Sequence, residues 1–313
     1  LHTSWGQLPE DRADLYEESV KLLLSRWQRA REVRRPDGEV ETEQGIARVL
    51  AAEVESIRTA LHHLAFRAHE DQGAAADRDR GPADIGAGTV VAAFAPLLPE
   101  DFNPQVLLGY LETRAGLLVG RTPGTYAFPH RSFQEYLAAC HLADGQDFAG
   151  ELCRRVQEDP DWWRAVFLLG VGKAKQGGLS NAVYVVNTLL PEGPEEATQP
   201  ADAQWQSAVL AGEALLDLRF PKASRGQPHF EAVLKRVRRW LAALLETAGA
   251  LTPRERAAAG DVLGRLGDPR PGAGVQAGAE GHPPLPEIVW CEVPAGPFLM
   301  GSEAEDGQAF DDE

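Results

Sequence analysis

The sequence predicts a mainly α-helical chain with one small β-hairpin and a short β segment at its end. Three observations carry this. Apolar residues recur at helical spacing through most of residues 8–266. A strand–turn–strand pattern interrupts them at 116–128. A stretch rich in Gly and Pro at 267–286 then gives way to a strand pattern from Ile288. At 313 residues the chain has room for two or three domains of ~100–200 residues each. Its 43% hydrophobic and 25% charged residues are those of a globular protein.

The elements follow in order. Leu8-Pro9-Glu10-Asp11-Arg12 is a helix start, with proline near the first turn and acids at the positive end of the helix dipole. Leu15, Tyr16, Val20, Leu22, Leu23, Leu24 and Trp27 continue at helical spacing. Arg26, Arg29, Arg31, Arg34 and Arg35 crowd the far end, which favours cations, so one helix is expected over 8–35. Pro36-Asp37-Gly38 reads as a turn, and Ile46–His69 as a second helix. On it His62 and His69 share a face, without a cysteine or carboxylate pattern beside them, and no metal site is expected.

Residues 1–70 are thus a helical module and 71–88 a polar loop. Residues 89–143 read as a compact winged helix. Helices are expected at Thr89–Ala95 and Asn103–Thr113, the latter starting on an Asn cap followed by proline. Gly116–Val119, a turn at Gly120–Gly124, and Thr125–Phe128 form the hairpin. Ser132 and Glu135 have capping-box spacing for the next helix. Residues 144–266 hold six further helical segments, at Asp147–Glu158, Trp162–Lys173, Ser180–Leu190, Ala203–Leu218, Phe230–Ala248 and Pro253–Leu266. Their Gly/Pro-linked succession suggests a HEAT-like array, although no clean period repeats. Trp162 and Trp163 are read as packing anchors. A linker at 267–286 and a β segment at 287–313 complete the chain.

The net charge of −16 argues against a nucleic-acid binder that works by neutralising phosphates, and Asn103–Thr113 holds no Lys or Arg. No nucleic-acid partner is expected. Cys140, Cys153 and Cys291 are far apart and suggest neither a zinc site nor a disulfide framework. No apolar run is long enough to span a membrane, no signal-peptide pattern opens the chain, and the sequence begins on Leu1. It reads as a cytoplasmic piece of a longer protein. There is no Gly-x-x-x-x-Gly-Lys-Ser/Thr loop, no Gly-x-Ser-x-Gly elbow and no His-Glu-x-x-His. Gly170-Val171-Gly172-Lys173 has the wrong spacing for a phosphate loop. No catalytic residues are proposed, and these residues by themselves are not expected to be an enzyme.

Tyr126-Ala-Phe-Pro-His-Arg-Ser-Phe-Gln-Glu-Tyr-Leu-Ala-Ala-Cys140 resembles the end of the winged-helix domain in NACHT-type, STAND-class signalling NTPases. Phe128, His130, Phe133, Glu135, Tyr136, Ala138 and Ala139 carry the likeness. The resemblance implies that His130 touches the β-phosphate of bound ADP and helps hold the switch off. Leu8–Tyr16 is similar to the helical module after the nucleotide-binding core, and Asp159-Pro-Asp-Trp-Trp-Arg164 to the helical region after the winged helix. Ile288–Ser302 resembles the opening of the formylglycine-generating-enzyme/sulfatase-modifying-factor fold, a variant of the C-type lectin fold, which implies an incomplete lectin-like domain at the end.

The expectation is therefore a regulatory and sensor-linking segment of a nucleotide-switched NTPase, of the kind used in bacterial defence or signalling. ADP or ATP with Mg belongs to the complete protein, and no cofactor is expected for the segment alone. The implied partners are the NTPase core of the same protein, further copies on activation, and a target met through the C-terminal domain. The competing reading is a helical scaffold attached to a metal-dependent modifying enzyme or a ligand-binding lectin-like domain. A plain transcription regulator built on the winged helix is a third, opposed by the acidic charge.

Overall fold

The computed structural model describes residues 11–34, 39–50, 52–75, 78, 81–113, 116–196, 200–276 and 285–288, and positions 290, 292 and 295–297. It is mainly α-helical, with a three-stranded antiparallel sheet of the winged-helix kind and an array of helices after it. The chain divides into two compact units, residues 1–268 and 269–313.

Helix α1 (Arg12–Gln28) buries Ala13, Glu17, Val20, Leu24 and Trp27, a stripe with the period of a helix. It ends earlier than the arginine pattern suggests. Arg31–Arg34 is a strand, β1, paired antiparallel with β2 (Val40–Glu43). Arg31 stands opposite Glu43 and Val33 opposite Glu41. The expected turn at 36–38 lies outside the described residues. Gly45 follows, and a Cβ there would sit 2.0 Å from the Gln28 carbonyl oxygen. Only glycine permits the chain to pass so close to the end of α1.

The helix expected over 46–69 is two. A short α2 (Ile46–Val49) precedes α3 (Val54–Ala74), which restarts after an extended Glu53. The restart turns Ile57, Leu61, Leu64 and Ala68 onto the core. The region expected to be a polar loop thus holds the end of α3 and also strand β3 (Ile85–Gly86), which leads into α4 (Ala87–Phe94). After α5 (Pro104–Thr113), β4 (Val119–Thr122) and β5 (Thr125–Ala127) meet at a two-residue Pro123-Gly124 turn. Gly124 takes a left-handed φ of 76°, which glycine adopts without strain. The sheet order is β3-β5-β4, so the wing gains a third strand that periodicity did not reveal. Two paired residues are too few to alternate visibly; Ile85 earns its place by being buried.

Helix α6 (Arg131–Ala143) runs from the end of the sheet into the centre of the first unit. It packs on α3 at one side and on α8 (Pro160–Gln176) at the other. Between α6 and α8 lies α7 (Phe148–Glu158). The array continues with α9 (Leu179–Leu189), α10 (Asp202–Asp217), a single turn α11 (Phe220–Ala223), α12 (Pro228–Glu246) and α13 (Pro253–Leu266). Caps fix the corners: Asp147 accepts from Gly150 N–H, Asp159 from Trp162 N–H, and Thr252 and Glu255 form a capping box. One core joins module, winged helix and array, from Ala13 to Leu266.

In the second unit, β6 (Val275–Gln276) pairs antiparallel with β7 (Leu285–Pro286), a short ladder inside the stretch expected to be a linker. Most of the lectin-like pattern, including residues 298–313, lies outside the described residues. Among the described residues no helix is long and apolar enough to cross a membrane.

Candidate functional site

His130 stands where β5 turns into α6. Phe128 is fully buried and anchors the strand end, while His130 is exposed. Its backbone is extended (φ −149°, ψ 148°), and it is the N-cap of α6. Nδ1 accepts a hydrogen bond from the Ser132 backbone N–H at 3.2 Å and lies 2.8 Å from Ser132 Oγ. A backbone N–H can only donate, so Nδ1 carries a lone pair and the proton of the neutral ring sits on Nε2. The corner therefore presents one N–H donor on an exposed ring.

The capping box expected from Ser132 and Glu135 does not form. The helix begins at Arg131, so Ser132 lies within its first turn and the cap position falls on His130. Glu135 instead accepts from Arg131 Nε at 2.8 Å, an i,i+4 pair.

Arg131 connects this corner to the array. Its guanidinium lies 4.2 Å from the Trp162 ring centroid, a cation–π contact with the first turn of α8. Trp162 Nε1 donates to the His69 carbonyl at 3.0 Å, and its ring stacks on the His69 ring at 4.9 Å. Trp163 meets His69 edge-on at 4.8 Å. Both tryptophans are buried and anchor α8 against α3. Burial, with the Arg131 charge nearby, drives the His69 pKa down to about 3, so this ring is neutral. On the other side, buried Gln134 accepts from Ala83 N–H at 2.8 Å and holds the approach to β3 against α6.

A buried polar network ties four helices together beneath the corner. Arg58 of α3 donates through Nη2 to both carboxylate oxygens of Glu17 in α1, each at 2.7 Å. The Tyr136 hydroxyl of α6 donates to Glu17 at 2.5 Å, and Lys173 of α8 at 3.1 Å. Burial raises the Glu17 pKa, but Tyr136, Arg58 and Lys173 outweigh it and the carboxyl settles at about 2. Arg58 Nε also donates to His62 Nε2 at 3.4 Å, which leaves His62 Nδ1–H to donate to Asp144 at 2.8 Å. That hydrogen bond lowers the Asp144 pKa. His62 and His69, on one face in the sequence, are thus spent on separate tasks. Burial pushes the Cys140 thiol beside Tyr136 up to about 11, which makes it a core residue rather than a nucleophile.

The sequence reading missed Glu17, Arg58 and Lys173. A signal was present: Glu17 is the one charged residue among the buried positions of α1, which otherwise holds Ala13, Ser19, Val20, Leu24 and Trp27 there. Gly170 and Gly172, whose spacing already excluded a phosphate loop, are packing positions. A Cβ at Gly172 would lie 2.6 Å from the Ala13 Cβ, so glycine lets α1 and α8 approach and brings Lys173 to Glu17.

Residues 12–142 match the family of winged helix-turn-helix domains C-terminal to NACHT. The match takes in α1, the β1–β2 hairpin, α3, the three-stranded sheet and almost all of α6, and so includes both His130 and Glu17. No curated protein and no solved structure matches the chain.

Proposed function

We propose that this chain, with its winged-helix domain of the type that follows NACHT, is the regulatory and sensor-linking segment of a nucleotide-switched signalling NTPase. The observation that carries the reading is the His130 corner. Its Nε2–H is exposed, and the ring is oriented by Ser132, so a phosphate oxygen of ADP in the neighbouring NTPase core has a fixed donor to meet. Magnesium and the catalytic groups for ATP hydrolysis belong to that core; this segment holds a domain in place and performs no bond-breaking step. Loss of the His130 contact frees the winged helix to rotate, a two-state element biased by differential contacts.

The partners on this reading are the NTPase core, further copies of the protein once ADP is lost, and a target recognised through the lectin-like domain that the tail resembles. Its setting is the cytoplasm of a bacterium that uses such switches in defence. The test is the nucleotide content of the natively purified full-length protein, released by denaturation and separated by ion exchange. Near-stoichiometric ADP is expected, and His130→Ala should lower ADP retention and raise basal oligomerisation. Unchanged ADP with a monomeric variant removes His130 from this role.

A further inference from the structure

A cavity of about 440 Å³ opens between α7, α8, α10 and the start of α13. This lies within the ~300–1,000 Å³ of small-molecule sites. Part of its wall is apolar, formed by Val156, Val209, Leu210 and Leu251, and the rest is polar or charged. Leu251 is held there in a left-handed conformation (φ 58°), an uncommon backbone for a bulky side chain.

The charges around the wall are of two kinds. Arg164 is neutralised by Glu213 at 2.5 Å, and Glu255 is engaged by Gln206 at 3.1 Å and by the Thr252 cap. Asp161 and Arg254 also line the cavity; both are exposed at its rim, and neither has an ion pair among the described residues. An occupant that complements this wall has an apolar body with one cationic and one anionic end. A short peptide of apolar residues has that chemistry, through its free ammonium and carboxylate.

The cavity also adjoins the connection to His130. Asp161 and Arg164 belong to the first turns of α8 and bracket Trp162, whose ring receives the Arg131 guanidinium one residue from His130. We propose that this cavity is a binding site for a short apolar peptide with free ends, and that its occupancy is read at the His130 corner through Trp162 and Arg131. The binding half stands on the cavity alone; the coupling half rests on the switch function proposed above. An occupant drawn between Asp161 and Arg254 shifts the turn that carries Trp162 and so loosens the seat of Arg131.

The experiment uses the full-length protein and the dipeptide Leu-Phe, with its N-acetylated and C-amidated forms as controls, titrated by calorimetry. Saturable binding is expected. Asp161→Asn, Arg254→Gln and each blocked dipeptide should weaken it about two- to fivefold, the loss of one exposed charge contact. Val209→Trp, which fills the cavity, should abolish it. Absence of saturable binding, or equal affinity for blocked and free dipeptides, overturns the site. Separately, Leu-Phe should speed release of bound ADP about fivefold or more, the usual size of such coupling, and Arg131→Gln should remove that response while leaving dipeptide binding intact. Binding without any change in ADP release overturns the coupling and keeps the site. A protein that holds no ADP at all overturns the switch reading and leaves the binding result standing.

Discussion

Glu17→Gln removes one charge at the point where four helices meet, and its effect can be worked out before measurement. The carboxyl has a folded pKa of about 2 against an ordinary 4.5. A difference of 2.5 units at ~1.36 kcal/mol each is about 3 kcal/mol of stability that the ionised carboxylate supplies. The folded pKa is the lower one, so this contribution is complete above pH 4.5 and disappears as pH falls through 2. Linkage gives a gap between wild type and variant of about 3 kcal/mol at pH 7, about 2 at pH 3.5 and under about 1 at pH 2.5. Glutamine retains an oxygen for the Tyr136 hydroxyl, whereas Arg58, its side chain only 15% exposed, loses its carboxylate. A buried charge left without its partner costs about 3–5 kcal/mol, which agrees with the upper end. Urea titrations of both proteins between pH 7 and pH 3, followed by far-ultraviolet circular dichroism, read the gap directly. A gap that does not narrow on acidification refutes the assignment of Glu17 as the charged hub. So does a variant as stable as wild type at pH 7.

Two further outcomes follow from packing and burial. Gly116→Ala places a Cβ 1.7 Å from Trp27 Nε1, inside a fully buried contact, and should cost about 1–3 kcal/mol in urea denaturation; a neutral result means that the close approach of 116–118 to α1 is wrong. His69, with a folded pKa of about 3 against 6.5, stays neutral while the unfolded chain takes up its proton, so it costs stability as pH falls from 6.5 towards 3. His69→Phe keeps a ring on Trp162 and should flatten the loss between pH 6.5 and 4.5, above the Glu17 window; an unchanged pH profile there shows that His69 is accessible to protons.

Much of this architecture was legible because helices announce themselves locally. The stripe of α1 and the Asn-Pro start of α5 appear in the sequence, since periodicity and capping are properties of neighbours along the chain. His130 was found through the pattern around it, and its place at the corner follows from a strand ending at Ala127 and a helix starting at Arg131. Composition alone assigned it no task, because a histidine at a helix start is equally a cap, and it is a cap.

What the sequence determined by itself was therefore the helical class, the wing, the order of segments and the one histidine at their junction. Only tertiary structure decided which charges meet. Arg31–Arg34 satisfies a helix-end rule in isolation, yet pairs as a strand because Val40–Glu43 returns beside it. Gln134 gives no sign in sequence that it holds residue 83, 51 positions away. Glu17, Arg58, Tyr136 and Lys173 are separated by up to 156 residues and become one network only when α1, α3, α6 and α8 pack. Local rules report on residues three or four apart, whereas a buried carboxylate is defined by whatever the rest of the chain brings to it.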